Sequence, residues 1–249
     1  MSFMLPLFTS NIQKGKLIAD GLITCMPFTD TSRNEVRDEG GQRRHGYTVP
    51  VASWDTRRVG GLFGGSLSFT RASSEYLDFG SQLFDNYDRG TMTGFVSVGA
   101  IGDGEFHQWW ALSGGNVATP GIWGMNFSYE GGTNYINVTQ LNDGGGTLNY
   151  VRFAYTLQSA GWKHLALVSD GSTWTPYVDA VPYTFSIVGG ANNGNWVSDT
   201  PFAVPRFLIG ASGYDGSTAN FANMLAADFR MYSRPLDQAE IALIAAGIG

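Results

Sequence analysis

The chain has 249 residues, room for one large or two small domains, and its 34 Gly, 14% aromatic and only 14% charged residues describe short, turn-linked, partly buried strands and exclude a helical bundle. Fifteen Lys and Arg against 21 Asp and Glu leave a net charge of −6, the wrong sign for gripping a phosphate backbone, so nucleic acid is not an expected partner. A single cysteine, Cys25, excludes an intrachain disulfide, and no run approaches the roughly 20 apolar residues of a membrane span.

In chain order, residues 1–20 mix apolar residues with Pro, Ser, Asn and Lys without a period, and are expected to form an arm that packs on the domain or on a neighbouring subunit. This N-terminus lacks the basic region of a signal peptide, and Pro6 breaks its apolar stretch. From Gly21 strand signals recur: "GLITCMPF", in which Cys25 reads as a packed thiol; "GGSLSFTRASSEYLDFG", two short strands about a turn; and "TGFVSVGAI". "GIWGMNFSYE", "NYINVTQLN" and "NYVRFAYTLQ" follow with Gly-rich turns, the pattern of an antiparallel meander.

The clearest hairpin is "GWKHLALVSDGSTWTPYVDAV", with Trp162, Leu165 and Leu167 expected in the core and His164 as a structural histidine. "RFLIGAS" is a further strand. In "MLAADFRMYSRPL" period-2 alternation places Phe229 and Met231 on one face, Asp228 and Arg230 on the other. Only "LDQAEIALIAAG" reads as helix, with Asp237 and Glu240 as a capping box, Leu236 and Ile241 as a staple and Gly247 as the stop. One domain over 21–249 plus the arm is the simplest organisation.

Three blocks in order, Gly-Gly-x-Leu-x-Phe at 64–69, Trp-x-His-x-Ala at 162–166 and Asp-x-Arg-x-Tyr-x-Arg-x-Leu at 228–236, resemble the concanavalin A-like, laminin-G-type jelly-roll modules over about residues 21–246. The resemblance implies an all-β sandwich of two antiparallel sheets with a short C-terminal helix. Many such modules bind Ca²⁺ through Asp side chains and loop carbonyls. Here Thr70 and Arg71 stand where the family-like acidic residues would fall, and Ala227-Asp228 stands for a paired Asp, so no metal or other cofactor is expected.

Glycoside cleavage takes two carboxylates close together, and no such cluster is present; Asp103, Glu105, Asp143, Asp170 and Asp215 stand beside Gly in turns. With three His and no GxSxG elbow, a serine triad has no support either. Candidate glycan or partner contacts are the aromatics Trp109, Trp110, Tyr129, Trp196 and Tyr214, Trp196 lying in the long insertion "VGGANNGNWVSDTPFAVP". Arg43, Arg44, Arg57 and Arg58, in the basic N-terminal third, are candidates for docking an acidic neighbour. "NFS" at 126 and "NVT" at 137 match the glycosylation acceptor pattern.

The resulting expectation is a non-enzymatic virion structural protein, a capsid decoration, head-fibre or tail-associated subunit. It would be made in the host cytoplasm, assemble with other virion proteins and with itself, and expose a surface for host glycans. The alternative is a carbohydrate-binding, lectin-like module; a glycoside hydrolase is the third reading.

Overall fold

The computed structural model describes residues 19–28, 35–40, 45–50, 58–59, 65–81, 87–115, 120–142, 144–200, 206–213 and 218–247. The strands are β1 (Leu22–Met26), β2 (Glu35–Val36), β3 (Gly46–Val49), β4 (Arg58–Val59), β5 (Ser66–Phe69), β6 (Tyr76–Asp78), β7 (Gly90–Val98), β8 (Phe106–Gly115) and β9 (Pro120–Glu130). They continue with β10 (Thr133–Leu141), β11 (Thr147–Ala154), β12 (Lys163–Ser169), β13 (Trp174–Val178), β14 (Val181–Pro182), β15 (Ser186–Gly189), β16 (Arg206–Ile209) and β17 (Met224–Tyr232), before helix α1 (Gln238–Ala245).

Two antiparallel sheets result. One runs β15-β11-β10-β9-β8-β16-β6-β3-β2; the other runs β14-β13-β12-β7-β17-β5-β4, with β1 added to β17. The expected meander is β9 to β11, its first two strands joined by a two-residue Gly131-Gly132 turn with both φ positive. The "GGSLSFTRASSEYLDFG" strands are β5 and β6, but they belong to different sheets, so the 3₁₀ turn over 71–73 carries the chain across the sandwich.

Alternation supplies the core. Trp123, Met125 and Phe127 of β9, Ile136 and Val138 of β10, and Val151 and Phe153 of β11 face Met92 and Val96 of β7, Leu165 and Leu167 of β12, and Phe229 and Met231 of β17. Trp162, expected in the core, is only half-buried and does not belong to this cluster, whereas Leu165 and Leu167 do. Ala166, Val168 and Tyr232 point the other way from the eight-stranded sheet, and Leu236, Ile241 and Ile244 of the α1 region cover them. The capping box forms as expected: Asp237 Oδ1 accepts from the Glu240 N–H at 2.8 Å and Glu240 Oε2 from the Asp237 N–H at 3.0 Å. Gly247, at φ 71°, ends the helix.

Two bulges interrupt the alternation. In β8 the register skips between Gln108 and Trp110, and the extra residue turns both Trp109 and Trp110 into the core, 1% and 0% exposed. In β17 it skips between Ala227 and Arg230, with Asp228 at φ 48°. Asp, tolerant of the left-handed region, suits that position. Its carboxylate grips the Arg230 guanidinium through two 2.8 Å hydrogen bonds, and both residues are buried. The same break lets one edge of β17 pair with β5 at Met224–Ala226 and with β1 at Phe229–Tyr232.

Candidate functional site on the outer face of the nine-stranded sheet

Four of the five aromatic candidates can be placed, and three of those are core residues. Trp109 meets Phe229 edge-on, Trp110 packs on Trp123 and Phe207, and Trp196 is 0% exposed with its ring at 5.1 Å from that of Trp123. Tyr129 shares the inward parity of Phe127 and packs, half-buried, against the core. Tyr214, Arg43, Arg44 and Arg57 lie outside the described residues, as does the 1–18 part of the arm, and only the backbone of Arg58 is described.

The described part of the insertion, up to residue 200, is held by hydrogen bonds around the buried Trp196. The buried Asn149 accepts from the Ala191 N–H at 2.8 Å and donates to Gln140 Oε1 at 2.7 Å; Gln140 also accepts from Asn195 at 3.1 Å and donates to the Asp199 carbonyl at 3.3 Å. Asn192 exchanges hydrogen bonds with both backbone groups of Trp174 at 2.7 and 3.0 Å, acting as a strand partner. Asp199 accepts from the Trp196 N–H at 2.8 Å. These amides hold a polar loop closed so that an indole can fill the interior.

The polar half of the alternation in β9, β10 and β11 builds a different surface. Cross-strand pairing puts Asn126 opposite Asn137, Asn137 opposite Arg152, Ser128 opposite Tyr135, and Thr139 opposite Tyr150, all facing away from the core. Asn126, Ser128 and Asn137 are buried and form a floor; Glu130, Tyr135, Thr139, Tyr150 and Arg152 are half-buried and form its solvent side. Asn137 Nδ2 donates to Asn126 Oδ1 at 2.9 Å and to Ser128 Oγ at 3.1 Å, and its Oδ1 accepts from the Tyr150 hydroxyl at 3.3 Å. Asn126 Nδ2 donates to Thr139 Oγ1 at 3.2 Å, and Ser128 Oγ donates to Glu130 Oε1 at 3.1 Å. Arg152 Nη1 donates to Glu130 Oε2 at 2.6 Å while its guanidinium lies 3.9 Å over the Tyr135 ring.

This network sets the protonation states. Burial pushes the Glu130 carboxyl up, but the hydrogen bonds from Arg152 and Ser128 outweigh it and hold the group below its ordinary value, as a carboxylate. Burial and then the Glu130 charge raise the Tyr150 phenol, which stays protonated. Beside the floor, Gln108 Nε2 caps the bulged β8 backbone by donating to the Trp110 and Met125 carbonyls at 2.6 and 3.0 Å. A Cβ at Gly124 would collide with that amide and with the Trp110 carbonyl, so only glycine fits there.

Three other clusters are structural. His164 Nε2 and Thr93 Oγ1 are 2.5 Å apart; burial pushes the imidazole down to about 4, and Nδ1 has no partner among the described residues. Burial raises the half-buried Cys25 thiol to about 11, so it stays a protonated, unreactive packing group. At the Thr70–Arg71 position the Arg71 guanidinium itself lies among the oxygens, donating to the Phe106 and Phe221 carbonyls at 3.1 and 3.3 Å with Glu105 at 3.5 Å. A side-chain cation already neutralises this oxygen set, so the residues present do not fit calcium there. Among the described residues, no three His, Cys, Asp or Glu side chains gather as metal ligands.

Two antiparallel sheets stacked over one core, with a polar outer face on the larger sheet, define a lectin-type β-sandwich. The model of the concanavalin A-like lectin/glucanases superfamily matches residues 71–242, and the chain belongs to that family. No curated protein matches it in sequence. Among solved structures it is similar to the binding domain of botulinum neurotoxin DC in complex with rat synaptotagmin II, at TM-score 0.64 and 11% identity over 93% of this chain and 52% of that one. It is also similar to Trypanosoma rangeli sialidase in complex with 2,3-difluorosialic acid, at TM-score 0.61 and 14% identity over 98% of this chain and 40% of that one. The chain thus spans about half or less of the length of these structures, and the likeness is one of fold.

The sequence candidates and this face share no residue. In the sequence Asn126 and Asn137 stand out only as glycosylation acceptor patterns, and no motif contains Glu130, Tyr135, Tyr150 or Arg152. The available signal was the polar positions at i, i+2 and i+4 in "NFSYE" together with Asn137, Tyr150 and Arg152 on the strands that follow.

Proposed function

We propose that the protein is a non-catalytic, lectin-like recognition module that binds a hydroxyl-rich glycan on the outer face of its nine-stranded sheet. The observation that carries this reading is the connected row Asn126, Asn137, Ser128, Glu130, Arg152 and Tyr150, whose side chains are fixed by one another before any ligand arrives. Rigid carboxylate and guanidinium edges suit vicinal hydroxyls, and the Tyr135 and Tyr150 rings supply apolar surface for a sugar ring. A general acid needs a carboxyl raised toward neutrality and a phenol nucleophile needs a lowered one; Glu130 and Tyr150 are shifted the opposite ways, which supports binding without turnover. The virion-assembly reading rested on the N-terminus without signal-peptide features, the single cysteine and the arm over 1–20, of which 1–18 lie outside the described residues, and neither neighbour cited above is a virion protein.

The test is a glycan-array screen of the whole chain beside Arg152→Met and Tyr135→Ala, followed by calorimetry on the best ligand. Each substitution is expected to weaken binding roughly tenfold or more, the scale of one charge-assisted hydrogen bond or stacking contact. Absence of any glycan ligand, or binding indifferent to both substitutions, would overturn the reading.

A further inference from the structure

We propose that Glu130 determines the specificity of this face: by occupying the Arg152 guanidinium it selects uncharged sugars and rejects carboxylated ones. This rests on the glycan-binding reading above and names its ligand class.

Arg152 is the only cationic side chain among the outward-facing residues of β9, β10 and β11. A sugar carboxylate is held by a guanidinium fork or an ammonium free to meet it. Here Nη1 is committed to Glu130 at 2.6 Å, and the ion pair lies at the solvent boundary, with 23% and 34% of the two side chains exposed. An arriving carboxylate therefore meets the Glu130 charge together with the guanidinium, and gains no net attraction for the water it loses. Uncharged hydroxyls lose less. Nε and Nη2 of Arg152 have no hydrogen-bond partner among the described residues and are left as donors to them. Farther along the same face the pattern repeats, because Arg206 is paired with Asp78.

Glu130 is itself held by more than Arg152. Ser128 donates to Oε1 at 3.1 Å, and the Tyr150 hydroxyl stands 3.5 Å from the same atom. A glutamine at this position keeps acceptor capacity for Ser128 and Tyr150 while removing the charge that masks the guanidinium, so the effect of Glu130→Gln is a gain, which misfolding cannot imitate.

The experiment compares methyl glucoside with methyl glucuronide, which share a ring and differ by a carboxylate, in NMR titrations of the full chain and of Glu130→Gln. The native chain is expected to prefer the glucoside. In Glu130→Gln the affinity for the glucuronide rises at least roughly tenfold, and about 0.5 M NaCl or a second substitution, Arg152→Met, abolishes the gain. A native chain that binds the glucuronide as well as the glucoside, or a Glu130→Gln variant that gains nothing for the glucuronide, overturns the proposal. A native chain that binds neither sugar, beside a variant that does bind the glucuronide, removes the glycan reading and leaves the masking role of Glu130 standing.

Discussion

Replacing Trp196 by alanine separates a core role from a ligand contact. The indole is fully buried, at 5.1 Å from the Trp123 ring and against Gly90, where even an added Cβ would come within 2.5 Å of Nε1. Burying a tryptophan side chain removes about 150–250 Å² from water, which at about 25 cal/mol/Å² contributes roughly 4–6 kcal/mol. The indole N–H has no partner among the described residues, and a buried unsatisfied donor takes back about 1–3 kcal/mol. With the cost of the cavity left behind added to this difference, the net loss for Trp196→Ala is about 3–5 kcal/mol, the range of other large-to-small aromatic core substitutions, and lowers the melting temperature by roughly 6–20 °C in a domain of this size. Trp196→Phe forfeits no hydrogen bond and costs only about 2 kcal/mol of apolar contact. Urea denaturation and scanning calorimetry read both variants. If Trp196→Ala unfolds within about 1 kcal/mol of the native chain while glycan binding disappears, the indole is a ligand contact and the assignment to the core is wrong.

Two further outcomes follow from buried charge. His164 is held neutral with its pKa pushed down to about 4 from an ordinary 6.5, so the unfolded chain takes up a proton first as pH falls. Stability attached to this residue is intact above about 6.5 and declines by about 3 kcal/mol on the way down to 4, and His164→Gln should flatten that slope in urea titrations across the range; an unchanged slope refutes it. Asp228→Asn tolerates the left-handed backbone but leaves Arg230 buried beside a neutral partner, so it should cost about 3 kcal/mol, and adding Arg230→Met should restore most of it. A double variant no more stable than the single one would show that the pair is not the source of the loss.

Much of the fold was legible because alternation and turn chemistry are local. The β12–β13 hairpin, the β9–β11 meander and the Asp237–Glu240 cap each depend on residues within one or two turns of chain, and each forms where the pattern puts it. The misreadings arise where one residue breaks the period. A strict strand sends Trp109 and Trp110 to opposite faces, which makes one of them look exposed; the β8 bulge sends both inward. In β17 the alternation puts Asp228 and Arg230 on the face opposite Phe229 and Met231, but does not show that the bulge and their mutual hydrogen bonds bury this pair. Nothing in the local composition of either strand announces the extra residue, because a bulge is decided by what the partner strand and the opposite sheet need.

The outer face was hidden for a different reason. Aromatic residues draw attention as sugar contacts, but in a sandwich of this size large rings are in demand for the interior, and the loop around Trp196 spends Asn192, Asn195 and Asp199 on delivering an indole there. Polar residues on strands look like ordinary solvent positions. What distinguishes Asn126, Ser128 and Asn137 is burial on the side of the sheet away from the core, and burial emerges only when three strands bring their long neighbours Tyr135, Tyr150 and Arg152 together above them. A floor of satisfied amides and hydroxyls under a half-buried ion pair costs rotamer freedom at folding and leaves little to lose at binding. The recognition role proposed for this face draws on that preorganisation.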